Sequence, residues 1–167
     1  MDSLQIVPEL EVGLNHIIHM CLASHLKIEV EIPLISCCRQ AAMFSRQTKD
    51  LVQARQSLCD RGFDFLAELL LIDRGNKGEY RNCCSSRLPG DSWHNYGEAA
   101  SITLLKSSNS SRGMQILAAA VKHAGLVWGG LWSPDLQNHV QLRNFRSPLS
   151  RLSPSEARKL LEEVGSL

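Results

Sequence analysis

The residues best suited to chemistry stand in two short stretches, Ser92-Trp93-His94-Asn95-Tyr96-Gly97-Glu98-Ala99-Ala100-Ser101 and Asp135-Leu136-Gln137-Asn138-His139-Val140-Gln141. Each offers an imidazole and a carboxylate, groups that hold metal ions or carry protons near neutral pH. Other candidates are weaker. His16, His19 and His25 lie on or just after a helical stretch, and His16 and His19 are spaced i, i+3. No acidic residue sits nearby to complete a ligand set, so they read as helix-surface histidines. The six cysteines, Cys21, Cys37, Cys38, Cys59, Cys83 and Cys84, include two adjacent pairs, which seldom bridge because the geometry is strained. None has the C-x2-C spacing of a thiolate metal site, and free buried thiols in a reducing compartment are expected.

Between the two stretches runs Ala124-Gly125-Leu126-Val127-Trp128-Gly129-Gly130-Leu131-Trp132. With His94, Gly97 and Ala99 in register before it and His139 after it, this ordered set resembles the zinc D-alanyl-D-alanine carboxypeptidase and L-alanyl-D-glutamate endopeptidase family, cell-wall peptidases of endolysin type. The family's first motif is Ser-x-His-x-x-Gly-x-Ala-x-Asp, whose His and Asp bind zinc; its second motif supplies an acidic general base and another His ligand. Over roughly residues 10 to 145, the resemblance implies zinc ligands at His94, His139 and position 101. It implies Asp135 as the base and Arg39 as the catalytic and substrate-binding arginine, with Ser92 and Trp132 also at the substrate. Two departures are plain. Ser101 stands where the family has its aspartate, and Asp135 lies four residues before His139 where the family has three.

A catalytic zinc needs three protein ligands and an open place for water, whose pKa falls to about 7. A neutral serine hydroxyl is a poor third ligand. Glu98 is badly placed to replace it, because along a strand positions 99 and 101 share a face while 98 points to the other. Zinc is therefore expected to be weak or absent. The resemblance then implies a stem-peptide hydrolase-like domain that is weakened or inactive. The alternative is a pseudoenzyme acting as a binding or structural module, for instance in a phage-derived particle. A structural domain unrelated to peptidoglycan would instead keep His94 and His139 apart. Arg39 could fork a carboxylate or oxyanion with two hydrogen bonds; Arg46 and Arg55 are rivals within helical sequence, and a surface arginine at a strand end is the plain alternative. Trp128 and Trp132 would either wall a cleft or fill the core.

Composition bounds the rest. The 167 residues, 44% hydrophobic and 21% charged, suit one soluble domain over 1–167. A chain of this size buries roughly 70% of its unfolded surface. A formal charge of +1 gives no field to draw the protein to nucleic acid or anionic membrane. The expected partners are a peptidoglycan peptide and other proteins of a phage-like assembly. The start, Met1-Asp2-Ser3-Leu4-Gln5, lacks a basic region before an apolar run, and no stretch reaches the roughly 18 apolar residues of a membrane span. Synthesis in the cytoplasm without a signal peptide, with delivery to the periplasm or cell wall, is expected.

The elements follow from periodicity. Leu10, Leu14, Ile17, Ile18 and Cys21 predict a helix over 9–24. Ile28-Glu29-Val30-Glu31-Ile32 alternates as a half-buried strand, extending through Leu34 and Ile35 towards Arg39. Residues 40–72 read as helical with a break at Gly62. Residues 73–91 read as a loop with a turn at Pro89-Gly90-Asp91. Ala99–Leu105 predicts a central strand, Arg112–His123 a helix stopped by Gly125, and Val140–Leu142 a short strand. Ser153-Pro154-Ser155-Glu156 is a capping box that opens a helix to about Val164. The fold expected is α+β: a small, mainly antiparallel sheet bearing the site residues, with helices on one side.

Overall fold

A computed structural model describes residues 5–71 and 87–167. In chain order the elements are α1 (Pro8–Ala23), β1 (Ile28–Glu31), α2 (Cys37–Gln47), α3 (Leu51–Asp60), α4 (Asp64–Leu69), β2 (Ala99–Leu104), α5 (Ser111–His123), β3 (Val127–Trp128), β4 (His139–Gln141) and α6 (Pro154–Glu163). The four strands form one antiparallel sheet in the order β1-β2-β4-β3. The fold is α+β. Among the described residues no helix is long and apolar enough to cross a membrane.

The chain folds as two compact units. The first to consider holds the sheet and comprises Ile6–Leu34 and Gly97–Asn144. Its α1 buries Leu10, Leu14, Ile17 and Cys21, a stripe at i, i+4, i+7 and i+11. The stripe meets Leu117, Ala120 and Val121 of α5 and the apolar face of the sheet, from Ala100, Ile102, Leu104 and Val140. Both helices stop in the same way. After α5, Gly125 (φ 73°) turns left-handed, its N–H bonds Lys122 O, and the next N–H, from Leu126, bonds Val121 O. After α1 a histidine does this job: His25 has φ 57°, with Leu26 N–H returning to Cys21 O at 2.8 Å. Buried Leu26 supplies the apolar contact that fixes the turn.

The second unit comprises Met1–Gln5, Ile35–Tyr96 and Phe145–Leu167 and is helical. Its buried side chains include Cys37, Met43, Leu58, Phe63, Leu66, Trp93, Tyr96, Leu149 and Leu161. Burial pushes the Cys37 thiol up to about 12, so it is a protonated, inert core group. Ser153 and Glu156 form the reciprocal capping box of α6, as the sequence predicts. At the predicted turn Asp91 N–H donates to Leu88 O at 3.0 Å, with Gly90 at φ 77°. Any side chain there would also strike Leu66, 2.6 Å from an ideal Cβ.

Two expectations about elements are corrected. The first strand ends at Glu31 instead of running on towards Arg39. Pro33 has no N–H for a ladder, and Leu34 N–H closes a tight turn around it onto Ile32 O. The 40–72 helical stretch is three helices, broken at Thr48–Asp50 as well as at Gly62. Asp50 caps a fresh helix by accepting from Gln53 N–H at 2.9 Å. Most of the predicted 73–91 loop, with Cys83 and Cys84, lies outside the described residues.

Candidate functional site

The sheet unit holds Ser101, Asp135, Trp132 and His139. Ser101 is paired with His139 of β4 on one side and with Glu31 of β1 on the other. Ile102 N–H bonds Asn138 O at 2.7 Å and Leu142 N–H bonds Glu98 O at 3.0 Å. Those bonds define the hydrogen-bonded pairs 102/138 and 98/142. The Ser101/His139 pair therefore falls at a non-hydrogen-bonded position, where opposite Cα atoms lie only about 4.5 Å apart and side chains come closest. Both project from the face opposite the apolar core, with Glu31, Thr103 and Gln141.

Gln141 orients the histidine. Its amide nitrogen donates to Arg143 O, which leaves Oε1 to accept, and His139 Nε2 lies 2.8 Å from that oxygen. With that oxygen as acceptor, Nε2 is the ring nitrogen that donates its proton in this bond. Gln141 is 1% exposed. The sequence signal for it was simple: at i+2 on a strand it shares the face of His139.

Residues 129–138 are fastened beside this pair. The indole N–H of Trp128 donates to Gln137 O at 2.6 Å. An ideal Cβ on Gly130 would lie 2.5 Å from the Trp128 ring, and one on Gly129 would lie 2.5 Å from Leu136 O. The two glycines are thus needed for close packing of this loop. Trp132 is half-buried with its ring 6.3 Å from that of His139, centre to centre. Asp135 is exposed on the 3-10 turn Pro134–Leu136, with its N–H on Ser133 Oγ.

Glu98 has another occupation. It is 3% exposed and takes two hydrogen bonds from Arg143, Nε to Oε2 at 2.6 Å and a terminal nitrogen to Oε1 at 2.8 Å. A bidentate pair of this kind is strong and directional. Its hydrogen bond holds the guanidinium protonated beyond its usual range, against the opposing effect of burial. A carboxylate so engaged is unsuited to replace the ligand missing at Ser101.

Ser92, His94 and Arg39 belong to the helical unit. The 3-10 turn Trp93–Tyr96 is pinned through its neighbours: Trp93 indole N–H to Phe145 O at 2.8 Å, Asn95 amide to Ile35 O at 2.6 Å, and Tyr96 hydroxyl to Gly90 O at 3.0 Å. Asn95 Oδ1 also accepts from Ser92 N–H at 3.2 Å. His94 rides half-buried on this fixed turn. Arg39 lies in the first turn of α2, half-buried, its backbone N–H on the capping Ser36 Oγ at 3.1 Å. It is thus a helical residue, not one at a strand end. Arg46 is exposed near the end of α2, and Arg55 is half-buried in α3.

Among the described residues no group of three or more His, Cys, Asp or Glu side chains is placed to hold a metal ion. The hydroxyl at 101 brings no negative charge to offset a divalent cation. In comparisons with known proteins, no family model matches the chain and no curated protein matches it significantly.

Proposed function

We propose that the chain is a peptidoglycan stem-peptide hydrolase-like domain of the zinc carboxypeptidase and endopeptidase type, with a weakened or inactive centre. One observation carries the proposal. The position that the resemblance gives to the anionic ligand, Ser101, stands directly across from His139 at the closest kind of strand pair. A carboxylate there would stand beside the imidazole that Gln141 orients, so that both could approach one ion. In the same unit Asp135 would be the base and Trp132 a substrate contact; the resemblance gives His94, Arg39 and Ser92, of the helical unit, the other ligand and substrate roles. The residues present lack the anionic third ligand that would offset the charge of the ion.

A pseudoenzyme is favoured by a second observation: Glu98, the nearest carboxylate in the motif, is bound to Arg143. In that role the domain binds a cell-wall peptide or a protein of a phage-like assembly without cleaving it. The same variant separates the two. Ser101→Asp restores the anion with little added bulk, so zinc content after purification without chelator should rise from below one equivalent towards one, with a zinc-dependent increase in Tm. Release of stem peptide above the parent level supports the weakened hydrolase; zinc uptake without release supports the pseudoenzyme. Stoichiometric tight zinc in the parent, or no gain in the variant, would overturn the proposed site.

A further inference from the structure

His16 and His123 are 107 residues apart in sequence, yet the Nε2 of one lies 3.1 Å from the Nδ1 of the other. Both are exposed, one in the middle of α1 and the other as the last residue of α5. Their rings are nearly parallel, 9° apart, with centres 5.0 Å apart. In this arrangement the N–H of one imidazole donates to the lone pair of the other.

We propose that this pair is a binding site for a late first-row divalent transition-metal ion, which would clip α1 to α5. The span fits. Two metal-nitrogen bonds of about 2.0–2.1 Å separate their nitrogens by about 2.9 Å at a right angle and about 3.4 Å at a tetrahedral angle. The observed 3.1 Å lies between. Exposed imidazoles need only a modest ring rotation to turn both lone pairs on one ion, and neither must be drawn out of a core. Imidazole suits copper, nickel and zinc, and copper is favoured by the general affinity order. His123 adds a second attraction, because it closes a helix of 13 residues whose unpaired carbonyls put partial negative charge at that end. Two protein ligands leave the remaining positions to water, so the ion is exchangeable and surface-held. The nearby His19 points to no third ligand, since no group of three forms among the described residues.

The test uses the full chain without an affinity tag, stripped of metal and titrated with Cu2+ at about pH 7.5. One equivalent should bind, with an electron paramagnetic resonance signal showing two imidazole nitrogens and a rise in Tm. His16→Gln and His123→Gln should each weaken that binding at least tenfold and leave the metal-free Tm within a few degrees. His94→Gln with His139→Gln should leave it in place, which separates this site from the candidate peptidase centre. No two-nitrogen copper signal in the parent, a signal that survives His16→Gln with His123→Gln, or one lost only with His94 and His139, would overturn the proposal.

Discussion

The two faces of β2 make different demands on one strand. Ala100, Ile102 and Leu104 face α1 and α5 and are buried, with Ile102 1% exposed. Ala99, Ser101 and Thr103 face the other way, among Glu29, Glu31, His139 and Gln141. The apolar face holds the unit together through area removed from water. On the other face Ala99 and Gln141 are buried too, while Ser101 and His139 are half-buried and Thr103 is exposed, and register places the side chains. Stability and site chemistry are therefore separable on this strand, residue by alternate residue, and mutations one position apart should report on different properties.

The largest effect should come from the apolar face. Ile102→Ala removes three carbons from a packed core and is expected to cost about 2–5 kcal/mol in urea unfolding; a loss under 1 kcal/mol would mean the core is loose. Arg143→Met should come next. It strands the buried Glu98 carboxylate, but Arg143 is 45% exposed and water can partly replace it. About 1.5–3 kcal/mol should be lost, and Glu98→Gln in the same background should recover part of it. An unchanged midpoint in Arg143→Met would show that the pair contributes only geometry.

Smaller changes belong to the polar face. Gln141→Ala removes the acceptor at His139 Nε2 and should cost about 1 kcal/mol. Its sharper readout is nitrogen NMR of His139, in which the share of the Nε2–H tautomer should fall; an unaltered tautomer would remove Gln141 from its orienting role. Thr103→Val is expected to change stability by no more than about 0.5 kcal/mol, as usual for an exposed site away from such features. A cost near that of Ile102→Ala would erase the contrast between the faces.

Much of the fold was legible because its causes are local. The stripe of α1, the alternation in β1, the glycine stop after α5 and the capping box of α6 each depend on residues within a turn or two. Errors arose where one local cause outweighed another. Pro33 cut short a strand whose alternation read onward, and Asp50 started a helix inside what looked like a continuous one. The glycines at 129 and 130 were visible as residues, but their reason, the close approach of Leu136 and Trp128, was not.

By itself the sequence offered residues whose types could do chemistry, Ser92, His94, Ser101, Asp135 and His139 among them, and marked the local causes of most helices and strands. Only the tertiary structure decided who meets whom. The Ser101–His139 register, the Glu98–Arg143 pair across 45 residues and the His16–His123 contact across 107 all need the strands and helices to be packed first. The physical reason is range: periodicity and capping act over a few bonds, whereas a pair distant along the chain forms only once the burial of the apolar face has fixed the backbone on which both side chains stand.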